Sequence, residues 1–298
     1  MILDWIYSNP TWLWGTVVVV ALDAAACVGL VLFHRLIHLE VRRAHNELTG
    51  FTVAVISVTY AVLLAFIAIA TWESFAQSED IVDREADCVG SIYRDTQGLP
   101  EAMGQEIRSN IRLYTDTVIR QEWPVQQTGK VPGQGWEPLR KIHSAIVTMR
   151  PVTPGETVIE AELLKTLNML YSARSSRLSA VQGHIPEVIW WIIFFGGAIT
   201  TGYTYLFGFH NFRMHVITTA AVSTSLALVV VLIIALDWPF RGTVSVTPDA
   251  FVKTELSWSD LSFATPGAPA AIGAMPTAGV VRPHLPSKSA SGYGNHHH

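Results

Sequence analysis

The feature that most constrains this chain is an uncharged apolar stretch, Phe51–Trp72. Its length matches the about 20 residues that an α-helix needs to cross a hydrocarbon core of about 30 Å. The polar stretch that follows, residues 73–95, contains no proline and keeps apolar residues at helical spacing. We therefore expect one continuous helix that starts in a membrane and extends into water. A motion or a charge at one end would be mechanically coupled to the other.

The composition extends this prediction to the whole chain. Half of the residues (50%) are hydrophobic and only 15% are charged, whereas about 25% are charged in a soluble domain. The apolar residues concentrate in four blocks, at residues 12–33, 51–72, 188–207 and 216–236. The sequence thus predicts an all-α integral membrane protein with four transmembrane helices. A soluble helical bundle is inserted between the second and the third of them.

The domain boundaries follow from these blocks. Residues 1–72 form an N-terminal segment and the first two spans, and residues 73–185 form a soluble domain of four helices, the first continuous with the second span. Residues 186–240 contain the third and fourth spans. A short extramembrane segment follows at 241–263. Residues 264–298 are rich in Pro, Ala, Gly and Ser without periodicity, which predicts a disordered tail.

Several functional classes are disfavoured. The net charge of -4 gives no electrostatic footprint for nucleic acid. The sequence contains no phosphate-binding P-loop, GxSxG, HExxH or CxxC pattern, so we expect no enzyme and no cofactor.

Cys27 lies in an apolar block and Cys88 on the polar continuation of the second span, so we expect no disulfide between them.

Histidines in the first basic link raise the question of a metal site. His34 and His38 are four residues apart and would share a helix face; with His45 or Glu40 they could bind a metal. The ligand set is incomplete, and histidines are common at membrane interfaces. We therefore expect no metal.

One carboxylate, Asp23, lies near the middle of the first span. A charge at bilayer depth costs about 2.5–3.5 kcal/mol on insertion scales, so such residues usually face a cavity or a partner. Asp23 could be an ion-path or proton-relay carboxylate. Alternatively, it is protonated and bonded to a Ser or Thr of a neighbouring helix.

Small and hydroxyl-bearing residues mark the third and fourth spans. Gly196 and Gly197 would allow close helix approach. Hydroxyl groups share helix faces at Thr200 and Thr204 in the third span and at Thr219 and Ser223 in the fourth. Such residues usually serve helix packing, although here they could also line a wet path beside Asp23.

An acidic row follows the second span. Glu79, Asp83 and Asp87 recur every fourth residue and therefore lie on one helix face. In a single subunit we interpret this row as a solvent-exposed helix face. In a ring of subunits it would form an acidic mouth that concentrates cations.

The topology is predicted from interface residues. Tryptophans cluster at the helix ends that adjoin the soluble domain, which supports both termini on that side. The two short links carry the arginines that the positive-inside rule counts most heavily, so we place them in the cytoplasm and the soluble domain and both termini in the periplasm. Arg174, Arg177 and Arg241 on the opposite side count against this placement.

Five short motifs resemble the bestrophin-like domain family of bacterial membrane proteins. They are Asn46–Gly50, Tyr60–Phe66, Val82–Ala86, Tyr205–Gly208 and Leu236–Gly242, with Trp72 between the second and the third. The resemblance implies an oligomer, a pentamer as in bestrophins, in a bacterial inner membrane. It further implies an ion channel, mostly anion-selective in bestrophins, whose pore is formed by the second membrane helix. On that helix Val62, Phe66 and Ile69 would be the apolar pore-lining residues; alternatively they face neighbouring helices.

Two functional readings remain. The first is an oligomeric ion channel of undetermined selectivity, with the lipid bilayer, inorganic ions and further copies of the chain as partners. The second is a membrane-anchored sensor or scaffold whose soluble helical domain binds a ligand or a partner protein.

Overall fold

The computed structural model describes residues 2–37, 40, 42 and 46–262, and all regular structure within them is helical. His38, His45 and the predicted disordered tail at 264–298 lie outside these residues. The ten α-helices of the described part are α1 (Ile2–Ser8), α2 (Thr11–Leu36), α3 (Asn46–Asp95), α4 (Glu101–Thr117), α5 (Trp123–Gln126), α6 (Trp136–Val147), α7 (Pro154–Ala180), α8 (Glu187–Thr204), α9 (Phe212–Asp237) and α10 (Asp249–Ser262).

Three helical stretches are long and apolar enough to cross a membrane: Thr11–Leu36, Asn46–Gly98 and Phe212–Asp237, with mean hydropathies of 2.5, 2.6 and 2.5. The third predicted span is helical in α8 but is not among them. Glu187 at its start, its two tryptophans, its glycines and its threonines lower the mean hydropathy of this 18-residue helix. The four-span arrangement therefore stays a prediction.

A single 50-residue helix, α3, joins the apolar and the polar stretch. In its polar half an inward row of apolar side chains repeats at helical spacing, and Val82, Val89 and Ile92 are buried. This row packs against α7 and contributes to a core that includes Ile107 and Ile111 of α4. Burial of this row, rather than helix propensity alone, holds so long a helix to the soluble domain.

Two elements outside the apolar blocks were not predicted from the sequence. Residues Val118–Glu122 form a π-helical turn between α4 and α5. The last described helix, α10, buries Phe251 and Trp258, and the Trp258 ring stacks on Tyr93 of α3 at 4.6 Å. The segment predicted as a short extramembrane stretch thus contains a helix that packs on the domain.

The apolar helices form a second core. Tyr60 and Leu64 of α3 are buried against Ile193 of α8 and against Val230 and Ile233 of α9. The helix α2 packs along α9. In the chain, the apolar half of α3 precedes the insertion at residues 73–185, and α8 and α9 follow it. Because these helices pack together, the insertion begins and ends at the same face of the helical group.

The start of the chain is tied to this face. Arg241, which follows α9, forms an ion pair with Asp4 of α1 at 3.0 Å, and its guanidinium lies over the rings of Tyr7 and Trp238. The Tyr7 hydroxyl donates to the carbonyl of Ile234 at 2.9 Å. Burial raises the pKa of Tyr7, so this hydroxyl stays protonated.

Candidate ion pathway

The candidate pathway starts from an exposed apolar row on α3. Val62, Phe66 and Ile69 are 51%, 68% and 53% exposed. Steps of four and three residues place all three on one helix face. The same kind of exposure continues along the membrane half of α3, at Phe51, Val55, Val58 and Trp72. Apolar side chains left uncovered in one subunit are available to a pore axis, to further copies of the chain or to lipid.

The opposite face of α3 is fixed by an aromatic contact. The Tyr60 hydroxyl donates to the carbonyl of Ile193 in α8. A Cβ added at Gly196 would overlap Cε2 and Cδ2 of the Tyr60 ring. The ring therefore occupies the space that only glycine leaves open on α8. This contact sets the rotation of α3 and hence the direction in which Val62, Phe66 and Ile69 point.

Asp23 lies between helices within the subunit. It accepts a hydrogen bond from the Thr224 hydroxyl of α9, with 2.6 Å between Thr224 Oγ1 and Asp23 Oδ2. Its other oxygen, Oδ1, is buried and has no hydrogen-bond partner in the described part of the chain. The contact with Thr224 is the kind that the packing interpretation of Asp23 requires. The Asp23 side chain does not share the exposed row of α3.

The predicted hydroxyl faces also lie inside the subunit. Thr200, Thr204, Thr219 and Ser223 are all buried. The Thr204 hydroxyl donates to the carbonyl of Thr201 at 2.6 Å and lies 3.3 Å from the Thr219 hydroxyl. The structure thus brings α8 and α9 hydroxyls together, but it places them behind α3 rather than beside the exposed apolar row.

The acidic row is exposed on the soluble half of α3. Glu79, Asp83 and Asp87 all face solvent in the single subunit. Asp87 borders a groove of 740 Å³ between α3 and α7, together with Arg84, Glu162 and Lys165. This groove is mixed in charge, so the row is partly compensated at its Asp87 end.

A buried ionic network inside the soluble domain was not predicted from the sequence. Glu85, Glu122, Arg174 and Arg177 are each 0% exposed. Arg174 contacts both oxygens of Glu122, at 2.6 and 2.7 Å. Arg177 contacts both oxygens of Glu85, at 2.6 and 3.0 Å, and also reaches Glu122 at 3.0 Å. Two carboxylates and two guanidinium groups thus neutralise each other in the core.

The surroundings complete this network. Gln126 accepts from Arg177 at 2.6 Å, and the backbone N–H of Gly135 donates to Glu122 at 2.7 Å. The Tyr114 hydroxyl donates to Glu85. Burial acts to raise the pKa of Glu122, but Arg174 and Arg177 outweigh it and hold this pKa below its ordinary value. Burial and the nearby Glu85 carboxylate raise the pKa of Tyr114.

The burial of these residues separates them from the charged groups at the surface. Glu85 lies between Asp83 and Asp87 in the chain but does not share their exposed face, because it points into the domain. Arg174 and Arg177, which count against the predicted orientation, are both fully buried and paired. The available sequence signal was their three-residue spacing on the same face of α7 as Leu163, Leu167 and Leu170.

Of the histidines considered for a metal, His34 is described. Its Nδ1 accepts from Arg42 Nη2 at 2.6 Å. No group of three His, Cys, Asp or Glu side chains that could hold a metal occurs within the described residues.

Comparisons with known proteins agree with this architecture. A family model described as the Bestrophin-like domain matches residues 12–251. A bacterial bestrophin homolog from Klebsiella pneumoniae, solved by Zn-SAD phasing, has a TM-score of 0.61 at 13% identity, over 85% of this chain and 99% of that one. A leucine-to-threonine mutant of the homolog from the same organism gives 0.62 at 12%, over 84% and 98%. A proline-to-alanine variant described only as a membrane protein gives 0.63 at 12%, over 84% and 98%. No curated protein matches the chain.

Proposed function

Because this chain belongs to the Bestrophin-like domain family, we propose that it forms an oligomeric ion channel in a bacterial inner membrane. Copies of α3 surround the pore, and Val62, Phe66 and Ile69 line it. The observation that carries the proposal is the uncovered apolar row on the membrane half of a helix whose other face is fixed by Tyr60 and Gly196.

The row suits a hydrophobic gate. In a ring of α3 helices, the three side chains of each copy would meet copies of themselves around the axis. Such an apolar constriction excludes water when narrow and conducts when widened, which is gating by dewetting. Asp23, Thr200, Thr204, Thr219 and Ser223 would then form the layer behind α3 that holds it in place.

The acidic row extends the same axis into the soluble domain. Glu79, Asp83 and Asp87 of each copy would surround the entrance and raise the local concentration of cations. The bestrophin resemblance favours anions instead. The preference for cations or anions therefore depends on whether the acidic mouth or the apolar constriction dominates selection of the ion. The stoichiometry we propose is the pentamer that the resemblance implies.

A planar-bilayer recording of the purified oligomer across a KCl gradient tests the proposal. Discrete currents are expected, and the sign of the reversal potential assigns cation or anion selectivity. Protein that is folded and oligomeric yet silent under all voltages would count against the channel. The groove of 740 Å³ between α3 and α7 would then favour the sensor or scaffold reading.

A pair of variants locates the pore. Phe66→Ala shortens a side chain of the exposed α3 row and is expected to raise conductance or open probability severalfold, because the apolar constriction widens. Phe195→Ala is the matched control, since Phe195 lies on α8 with 60% exposure against 68% for Phe66. Equal effects of the two variants would remove Phe66 from the pore.

A further inference from the structure

A buried cation with neutral partners lies at the far end of the membrane helices. The Arg42 side chain is 3% exposed. Its Nη2 donates to His34 Nδ1 at 2.6 Å and its Nη1 to the carbonyl of Tyr205 at 3.2 Å. Its Nε is buried with no hydrogen-bond partner among the residues that the structure describes.

The charge of Arg42 is therefore not cancelled by these partners. An imidazole nitrogen and a carbonyl oxygen orient the guanidinium but carry no negative charge. No acidic side chain forms an ion pair with Arg42 in the described part of the chain, and the undescribed residues 38, 39, 41 and 43–45 contain no acid. A buried charge is costly unless it is paired, so this site favours an anion.

An apolar cavity shares one residue, Tyr205, with the surroundings of this cation. It has a volume of 490 Å³ and lies among α2, α8, α9 and Tyr60 of α3. Small side chains create the space, including Ala25 and Ala26 of α2, Gly197 and Ala198 of α8, and Ala227 of α9. Phe194 also lines the cavity and is 51% exposed, so the cavity opens on the outer surface of the helical group.

Tyr205 connects the two features. Its ring lines the cavity, and its hydroxyl donates to the carbonyl of Ala26 at 2.9 Å. Its own carbonyl accepts from Arg42. Through Tyr205 the arrangement therefore joins an unneutralised cation, bonded to the backbone of this residue, to an apolar cavity lined by its side chain.

We propose that this site binds an anionic phospholipid, with the phosphate at Arg42 and one acyl chain in the cavity. A phospholipid has the same division between a charged end and an apolar remainder. A guanidinium pairs strongly with phosphate oxygens through charge-assisted hydrogen bonds. Basic pockets between membrane helices are suited to acidic headgroups, and Arg35 and Arg213 add exposed positive charge at this end. The inference does not depend on whether the protein conducts ions.

The first test measures thermal stabilisation of the purified full-length protein in a neutral detergent. Phosphatidylglycerol is added in one series and phosphatidylcholine with identical acyl chains in another. We expect phosphatidylglycerol to raise the melting temperature further, because a ligand that binds the folded state stabilises it. Arg42→Gln should abolish the difference and weaken the apparent affinity roughly tenfold or more.

Matched variants distinguish the site from general charge attraction and from a folding defect. Arg213→Gln removes an exposed arginine at the same end and should keep the preference for phosphatidylglycerol. Ala198→Leu fills the cavity without touching Arg42 and should reduce lipid retention severalfold in native mass spectrometry. Val28→Leu enlarges an exposed α2 side chain outside the cavity and should change nothing.

Any of four outcomes would overturn the proposal. The first is equal stabilisation by the two lipids, and the second is an unchanged preference in folded Arg42→Gln. The third is inorganic phosphate, added without lipid, reproducing the Arg42-dependent shift, which would assign a small-anion site instead. If Arg42→Gln does not fold, full lipid retention by Ala198→Leu would itself overturn the proposal.

Discussion

Single residues decide the interior of the soluble domain more than its apolar pattern suggests. A helical apolar row predicts a core, yet this core encloses Glu85, Glu122, Arg174 and Arg177. Each guanidinium faces a carboxylate with two contacts, a geometry that arginine forms and lysine does not. The three elements that supply these charges, α3, the π-helical turn and α7, are therefore held in one register.

Removing one member should be far more costly than removing an exposed arginine. Arg177→Met would leave the Glu85 carboxylate buried without its bidentate partner, and breaking a buried pair costs about 3–5 kcal/mol. We expect a large drop in the melting temperature of the purified protein. Arg84→Met, at an exposed arginine on α3 that pairs with Asp80, should cost no more than about 1 kcal/mol. Similar melting temperatures for the two variants would contradict a stabilising role for the network.

The same network predicts a pH dependence. The pKa of Glu122 is held below its ordinary value of 4.5, so its ionised form stabilises the fold above about that pH. This stability is lost as the pH falls through the lowered pKa of the folded state. Melting curves between pH 7 and pH 3 should therefore show an acid limb in the wild type.

Glu122→Gln should be less stable at pH 7 and should lose less stability on acidification, because the titrating group is gone. Glu106→Gln, at an exposed position on α4, is the control and should keep the wild-type acid limb. An unchanged acid limb in Glu122→Gln would assign the acid sensitivity to other carboxylates.

At the scale of elements, the sequence predicted what depends on local pattern. The apolar stretch of α3 and its amphipathic continuation define one helix, because spacing alone determines which face is buried. The π-helical turn Val118–Glu122 and the packing of α10 depend on tertiary contacts, such as Glu122 with Arg174 and Trp258 with Tyr93. Nothing in the local pattern of either segment specifies such distant partners.

The two adjacent glycines of α8 show what the sequence predicts about a helix contact and what only the structure identifies. Small residues predicted close helix approach, and the structure identifies the Tyr60 ring as what approaches. Gly196→Ala should displace this ring, weaken the bond from Tyr60 to Ile193 and lower the melting temperature. It should also reduce the fraction of oligomer on size-exclusion chromatography, because α3 would rotate.

Gly202→Ala provides the control for helix propensity. It lies on the same helix, and a Cβ there would meet nothing within 4 Å. Alanine is favoured over glycine in a helix interior by about 0.5–1 kcal/mol, so Gly202→Ala should be neutral or slightly stabilising. If both variants behave alike, the contact between Gly196 and Tyr60 does not fix the orientation of α3.

At the scale of the whole molecule, a single chain specifies its own fold, but it supplies only one wall of the proposed ion pathway. The fold follows from four apolar blocks and a periodic insertion, and distant bestrophin homologs share it at 12–13% identity. A pore, by contrast, exists only where copies meet. In one subunit Val62, Phe66 and Ile69 are simply exposed, and the alternatives of pore axis, neighbouring copy and lipid have the same local sequence.

Orientation in the membrane is the remaining property of the whole molecule, and it is directly testable. The short links contain exposed arginines at Arg35 and Arg213, which the positive-inside rule places in the cytoplasm. On the opposing side Arg174 and Arg177 are buried as ion pairs and Arg241 is paired with Asp4, whereas Arg84 is exposed. The orientation therefore stays a prediction from the sequence.

Cysteine labelling in intact cells, with Cys27 and Cys88 replaced by alanine, tests this orientation. Gln127→Cys, at an exposed position of the soluble domain, should react with a membrane-impermeant thiol reagent. His210→Cys, exposed in the link between α8 and α9, should react only after the membrane is permeabilised. The reverse pattern would place the soluble domain, and with it the acidic row of Glu79, Asp83 and Asp87, in the cytoplasm. The row would then meet ions leaving the cell rather than ions entering it.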